Sequence, residues 1–270
     1  MNSTQVVIRR RATGQRRGFT LTELLVVVGL ISVLISLLLP ALGKARAAAN
    51  STACLANLRT MGNAWTNYMI ECRGRLPDDI NFAAPPSELA WTGSCLGILD
   101  RYGVRGNAIR CPAASEPIPF LQPNKGFGNV SYAWSGRFMS IGSAARLSVN
   151  SYREGSYAFN RYLTSSGLGF NRITKVKLAT DVPVFLDAVN FDVMPLNGTI
   201  LTPVENPPNL RFDSMPLSAP EHWRFLITRH GRGVNAYMVD GSARRVALED
   251  TYMLKWKSDW IKYRLSLPAY

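Results

Sequence analysis

The chain has 270 residues, a length that suits one large domain or two small ones. Its 47% hydrophobic and 10% aromatic residues exclude a disordered protein, which lacks the apolar surface needed to form a core. The net charge of +13 does not indicate a nucleic-acid-binding protein, because five of the 31 basic residues lie within residues 1–18 and the others are scattered.

Residues 1–18 form a basic leader, and the apolar segment after it predicts a membrane-spanning helix over residues 19–43. Residues 24–42 carry no charge, and 14 of these 19 residues are Leu, Ile or Val. At about 0.3–0.6 kcal/mol for each aliphatic residue, this composition favours membrane insertion by roughly 4–8 kcal/mol. The leader arginines outnumber Lys44 and Arg46 after the span, which predicts a cytoplasmic N-terminus and an exported remainder.

One acidic residue, Glu23, stands at the start of the apolar segment, where an unpartnered carboxylate is costly. The surrounding segment RRGFTLTELLVV, residues 16–27, resembles the class III signal of type IV pilins and type II secretion pseudopilins. This resemblance implies that a prepilin peptidase cuts after Gly18 and methylates the new N-terminal residue, Phe19. It also implies that Glu23 pairs with an N-terminal amine during filament assembly, an attraction that low dielectric strengthens.

The same helix is expected to continue beyond the membrane as an amphipathic segment, residues 44–75. Its apolar positions recur at alternating steps of four and three residues, which places them on one helical face. They are Cys54, Leu58, Met61, Trp65, Tyr68 and Cys72. The spacing predicts a face that packs on a globular domain, and Pro77 is expected to end the helix at the preceding residue.

Residues 76–270 are predicted to form an exported α+β head in which a small antiparallel sheet packs on the long helix. Two strands are expected over residues 175–179 and 182–188, and the six prolines within residues 190–221 predict a long excursion. Residues 222–248 predict a three-stranded meander with turns at residues 230–233 and at Asp240 and Gly241. Residues 251–264 have helix-like spacing but suit a packed tail equally well.

Two further segments extend the pilin-like resemblance. The CLANLR segment at residues 54–59 is similar to pseudopilin-like proteins of planctomycetes. His230, followed by nine residues and then Asp240 and Gly241, is similar to the H-x9-DG element of prepilin-processing-associated C-terminal domains. The resemblance implies a pilin-like fold, with a long N-terminal helix on a β-sheet head.

The four cysteines, Cys54, Cys72, Cys95 and Cys111, face an oxidising compartment if the head is exported. Cys54 and Cys72 lie about 27 Å apart along one helix, so they cannot pair with each other. The remaining options are bridges 54–95 with 72–111, bridges 54–111 with 72–95, a single 95–111 bridge, or buried free thiols.

Asp187, His230, Asp240 and Gly241 are the candidate site residues of the head. The simplest interpretation is structural, with Asp240 setting a turn and His230 capping a loop. An alternative, by analogy with secretion pseudopilins, is a bound calcium ion with Asp187 or Asp240 among its oxygen ligands. No other cofactor is expected, and no catalytic residue is assigned because the usual nucleophile, zinc-protease and phosphate-loop motifs do not occur.

The sequence therefore predicts a structural subunit, inserted once in the inner membrane and assembled with other pilin or pseudopilin subunits through its N-terminal helix. Its expected processing partner is a prepilin peptidase, and its product is a secretion pseudopilus or a pilus-like filament. Two alternatives belong to other classes of protein. One is a minor-pilin-type binding module for DNA or a glycan, and the other is a membrane-tethered enzyme that uses His230 and Asp187.

Overall fold

The computed structural model describes residues 19–78, 95–114, 134–137, 152–167, 169–196 and 224–267. The predicted leader with Gly18, and the predicted proline-rich excursion beyond residue 196, lie outside these ranges. The chain divides into two compact units, Met1–Arg46 and Ala47–Tyr270.

Helix α1 spans Leu21–Glu71 and is the one helix in the described ranges that is long and apolar enough to cross a membrane. It ends at Glu71, before the predicted limit of residue 75, and proline does not end it. Arg73 takes a left-handed conformation, and the amides of Arg73 and Gly74 bond back to the carbonyls of Ile70 and Met69. This is a Schellman cap, which satisfies the last carbonyls before the chain reaches Pro77.

Within the described ranges, seven strands and one short α-helix follow α1. Helix α2 spans Cys95–Arg101, and the strands are β1 Trp134–Arg137, β2 Tyr152–Gly155, β3 Tyr157–Asn160, β4 Pro183–Asp187, β5 Asp192–Val193, β6 Gly233–Met238 and β7 Ala243–Ala247. Strands β1 and β2 form an antiparallel pair. The other five form one sheet in the order β5-β3-β4-β6-β7, antiparallel throughout except for the parallel pair β3 and β5. The expected α+β arrangement is confirmed, although the sheet is mixed and not wholly antiparallel.

Alternate residues of the sheet pack into two cores, as the two-residue period of a strand requires. Phe159, Phe185 and Tyr237 face the core that contains the buried side of α1. That side includes five of the six predicted stripe residues, from Cys54 to Tyr68, whereas Cys72 is half-buried. Ala158, Leu186 and Ala236 face the second core, which the C-terminal residues fill.

The predicted strand over residues 175–179 is wrong. Short 3-10 helices occupy Ile173–Lys175 and Ala179–Asp181, and Leu178 between them has a φ of 59°. A left-handed residue interrupts the pleat that a strand needs. The predicted strand over residues 182–188 is confirmed as β4.

The predicted three-stranded meander over residues 222–248 is wrong in its first strand. Its last two strands are β6 and β7, but residues 224–228 form no strand. Strand β6 is hydrogen-bonded to β4 on one side and to β7 on the other, so residues 224–228 have no free edge of β6 to pair with. Consecutive Phe225, Leu226 and Ile227 are all buried instead.

The C-terminal residues adopt the packed-tail alternative. After a 3-10 helix over Leu248–Met253, the chain continues without regular structure to residue 267. Tyr252, Trp256 and Trp260 are buried. The Trp260 ring is tilted against Tyr252 with a centroid distance of 5.4 Å and meets Trp256 edge-on at 6.4 Å. The indole nitrogens of Trp256 and Trp260 donate to the carbonyls of Thr251 and Tyr252.

Candidate functional site

At the start of α1, Thr20 and Glu23 hydrogen-bond to each other reciprocally. The backbone amide and the hydroxyl of Thr20 each donate to the Glu23 carboxylate at 2.9 Å, and the Glu23 amide donates to the Thr20 hydroxyl at 3.2 Å. This is a capping box, which satisfies helix amides that otherwise have no partner. The carboxylate of Glu23 is therefore held at the amide of Thr20, the residue that follows Phe19 in the chain.

The apolar side chains of the first half of α1 are exposed on every side. Phe19, Leu24, Leu34 and Leu39 are each more than half exposed within the chain itself, as are most of their apolar neighbours. A helix that is hydrophobic all round has to be covered by lipid or by other helices. This property supports a single-pass membrane anchor.

A second site lies in the core of the head, where four potential metal ligands converge. Cys54 lies on α1, Cys111 lies shortly after the 3-10 helix Gly106–Ile109, Asp187 ends β4, and His230 lies in the turn before β6. One donor atom of each residue lies within 4.8 Å of the donor atoms of all the others. The Nε2 atom of His230 is 3.2 Å from the Cys111 sulfur and 3.0 Å from Oδ2 of Asp187. These four residues are called the four-donor cluster below.

Arg229 neutralises part of the negative charge beside the four-donor cluster. Its buried guanidinium pairs with Oδ1 of Asp187 and also donates to the carbonyls of Ser156 and Ala188 at 3.2 and 3.3 Å. A buried charge of this kind is stable only when it is paired and hydrogen-bonded. The contacts hold the Asp187 carboxylate in one orientation.

The cysteines of the cluster differ in their acidity. A hydrogen bond from Cys54, assisted by one from His230, lowers the pKa of the Cys111 thiol to about 6 despite its burial. Burial raises the pKa of the Cys54 thiol, with a contribution from its contact with Cys111. Burial alone would lower the pKa of His230, but the Asp187 carboxylate and then Cys111 raise it to about 9. The pair formed by Cys111 and His230 therefore favours a thiolate beside an imidazolium.

The cluster does not have the arrangement of a nucleophile, a base and an orienting carboxylate. In such a triad the carboxylate and the nucleophile contact different nitrogens of the histidine ring. Here both the Cys111 sulfur and Oδ2 of Asp187 approach Nε2. The side chains of His230 and Asp187 are 2% and 0% exposed, so no substrate can reach them in this conformation.

Asp240 and Gly241, by contrast, form a structural turn between β6 and β7. Oδ1 of Asp240 accepts hydrogen bonds from the amide and the hydroxyl of Ser242 at 2.9 and 2.7 Å. Gly241 has a φ of 91°, a conformation that glycine adopts without strain. Asp187 pairs with β6 near Asn235, at the opposite end from this turn, so the two aspartates do not share a site.

The sequence indicated Asp187, His230, Asp240, Gly241 and the cysteines as candidate residues, but it did not predict which of them lie together. His230 and Asp187 come together, whereas His230 and Asp240 do not. Cys54 and Cys111 join the cluster as thiols, and Cys72 and Cys95 are thiols outside it. Arg229 was not predicted, although its position directly before His230 in a buried segment could have indicated it.

Comparison with known proteins supports the N-terminal part of this description. Residues 14–39, about a tenth of the chain, match the family described as the prokaryotic N-terminal methylation motif. No curated protein and no solved structure has a significant match to the chain. The matched residues contain the capping box and the start of the exposed apolar helix, and the α+β arrangement after them is pilin-like. The chain thus carries the prepilin-type signal of a processed pilin-type subunit.

Proposed function

We propose that the protein is a pseudopilin or pilin-like structural subunit, cut after Gly18 by a prepilin peptidase and methylated at Phe19. The observation that carries this proposal is the methylation motif over residues 14–39, which coincides with the start of an apolar helix exposed on all sides. An ordinary secretory signal is cut after its apolar segment, so its exported product keeps no such helix.

The mature subunit spans the cytoplasmic membrane once, with its N-terminus in the cytoplasm and its head exported. The leader arginines support this orientation, because positive residues are retained on the cytoplasmic side. During assembly, the α1 helices of neighbouring subunits leave the lipid and cover one another. The product is a secretion pseudopilus or a pilus-like filament.

Glu23 has two roles in this proposal, and they can be separated. As a hydrogen-bond acceptor it caps α1 through Thr20, and as a charge it attracts the ammonium that cleavage creates on Phe19. A carboxylate and an ammonium attract each other more strongly in a low-dielectric apolar environment than in water. Glutamine preserves the acceptor but not the charge.

Three variants test the role of this charge. Glu23→Ala and Glu23→Gln are both expected to insert into the membrane normally but to enter filaments at least about tenfold less than the wild-type chain. Thr20→Ala removes the cap but keeps the charge, so it is expected to assemble. The measurement compares subunit in sheared or cross-linked filaments with subunit in carbonate-washed membranes, in cells that contain the assembly machinery.

Normal filament entry of Glu23→Gln would contradict the charge-pairing role. Equal defects in Glu23→Ala and Thr20→Ala, together with normal entry of Glu23→Gln, would mean that helix capping, and not the charge, is what assembly requires. Glu71→Gln serves as the matched carboxylate control, because Glu71 lies at the other end of α1 and pairs with Arg101 on the surface of the head.

A further inference from the structure

The four-donor cluster joins parts of the chain that are distant in sequence. Its members come from α1, from the segment after residue 109, from the end of β4 and from the turn before β6. Cys54, Cys111 and Asp187 are each at most 1% exposed, and the His230 side chain is 2% exposed. Four potential metal ligands buried at one point of the head require a physical explanation.

The distances within the cluster match those between ligands of a small tetrahedral ion. With zinc bond lengths of about 2.3 Å to sulfur and about 2.0 Å to nitrogen or oxygen, ideal tetrahedral ligands lie roughly 3.3–3.8 Å apart. The observed separations of 3.2 Å from Nε2 to the Cys111 sulfur and 3.0 Å from Nε2 to Oδ2 of Asp187 are slightly shorter. All other donor separations are within 4.8 Å.

One oxygen in the cluster is buried without a hydrogen bond. Oδ2 of Asp187 has no hydrogen-bond partner among the described residues, even though Nε2 of His230 is close to it. Nε2 of His230 is hydrogen-bonded to the Cys111 sulfur. A buried carboxylate oxygen without a hydrogen bond is costly, and an ion at the centre of the cluster would coordinate it.

The charges of the cluster also balance around a divalent ion. Two thiolates and the Asp187 carboxylate carry three negative charges, and a divalent cation together with Arg229 carries three positive charges. Arg229 already binds the second oxygen of Asp187, which is the usual outer contact of a ligating carboxylate. Near Cys54, the Asn235 side chain donates to the carbonyl of Ser51 on α1.

We propose that Cys54, Cys111, Asp187 and His230 bind one zinc ion, which fastens the head to α1. Two sulfurs, one imidazole nitrogen and one carboxylate oxygen suit zinc, whereas calcium requires six or more oxygen ligands. All four coordination positions are filled by protein, as in a structural site and not in a catalytic one. This site does not depend on filament assembly, so it can fail while the proposed function stands.

A disulfide between Cys54 and Cys111 is the competing outcome. It would involve two of the four donors, and it would not explain why His230 and Asp187 lie beside them. The two outcomes exclude each other, because a bridged sulfur has no thiolate to offer the metal.

The experiment uses the full chain in detergent, purified without a polyhistidine tag. Inductively coupled plasma mass spectrometry is expected to find about one zinc ion per chain. Removal of the metal with a chelator under reducing conditions is expected to lower the midpoint of thermal unfolding by roughly 10 °C. Cobalt added to the reduced, metal-free chain should produce the visible and charge-transfer bands of a tetrahedral thiolate site. This measurement needs no variant, so a folding failure cannot hide the result.

Variants then assign the ligands. Cys111→Ser and His230→Ala are expected to retain less than a tenth of the bound zinc, whereas Cys72→Ser retains about one per chain because Cys72 lies outside the cluster. Three results would overturn the proposal: no zinc and no cobalt bands in the reduced wild-type chain, full zinc in both ligand variants, or a complete disulfide between Cys54 and Cys111 in chain taken from its native membrane.

Discussion

Gly62 lies where α1 packs closely against the sheet. A Cβ atom on Gly62 would lie 2.1 Å from Cζ of Tyr237, far inside van der Waals contact. The Tyr237 ring is 2% exposed and its hydroxyl is 3.2 Å from that of Thr66, so the ring has little freedom to move away. The small residue therefore allows an aromatic ring of β6 to pack against the helix backbone.

Gly62→Ala is expected to destabilise the head. Overpacking of this severity typically costs about 1–3 kcal/mol, which exceeds the ~1 kcal/mol that alanine gains over glycine in a helix. We expect a net loss of up to about 2 kcal/mol, measured by chemical unfolding of the detergent-solubilised chain with aromatic fluorescence as the signal.

Gly43→Ala is the matched control for this substitution. Gly43 is also on α1, but nothing lies within 4 Å of the position that a Cβ would occupy. The control should be neutral or slightly stabilising. Equal stability changes in the two variants would show that the contact with Tyr237 does not limit packing.

At the scale of elements, Asp181 connects the segment before β4 to the C-terminal tail. Its carboxylate pairs with Lys262 at 2.6 Å and with Arg244 at 3.7 Å, and its carbonyl accepts from the amide of Lys255. The hydrogen bond from Lys262 lowers the pKa of Asp181, partly offset by burial, with further lowering by the charges of Lys262 and Arg244.

This shift predicts how stability depends on pH. Because the folded-state pKa lies below the unfolded value of about 3.9, the pair contributes stability above about pH 4 and loses it as the pH falls through the folded pKa. The side chains of Asp181 and Lys262 are both about one-third exposed. We therefore expect Asp181→Asn to lower the free energy of unfolding by only about 0.5–1 kcal/mol at pH 7. The difference from wild type should vanish at about pH 2–3.

Thermal midpoints of the two chains, measured from pH 7 down to pH 2, test this expectation. Asp259→Asn is the control, since the Asp259 side chain is 72% exposed beside Lys257 and its loss should have no measurable effect. A stability difference for Asp181→Asn that stays constant down to pH 2 would show that the carboxylate acts by packing and not by charge.

The elements also show what the sequence could predict. The span of α1 and its buried face follow from uniform hydropathy and from the steps of three and four residues between Cys54 and Tyr68. Strand β4 and the hairpin of β6 and β7 follow from local β-propensity and from the turn at Asp240 and Gly241. These features are local, so the sequence shows them directly.

Long-range pairing accounts for what the sequence could not predict. Residues 224–228 are as apolar as a strand. They do not pair with β6, because β4 is hydrogen-bonded to the edge of β6 that they would need. The four-donor cluster draws one residue from each of four distant segments, and no spacing rule connects Cys54 with Cys111, Asp187 and His230. Its members become a site only once α1 and the sheet are packed together.

At the scale of the whole molecule, the two compact units have different surroundings. The apolar side chains of α1 before residue 43 are exposed, whereas the later part of α1 contributes buried side chains to the core of the head. Such a chain needs a partner for its exposed helix, either lipid or other subunits. The methylation motif over residues 14–39 implies processing and assembly with other pilin subunits.

The mature N-terminus tests the central claim most directly. Intact and peptide mass spectrometry of the chain extracted from its native membrane should find a polypeptide that begins at Phe19, with residues 1–18 removed and one methyl group on the new amine. A chain that keeps residues 1–18, or that begins beyond the apolar segment, would contradict the account.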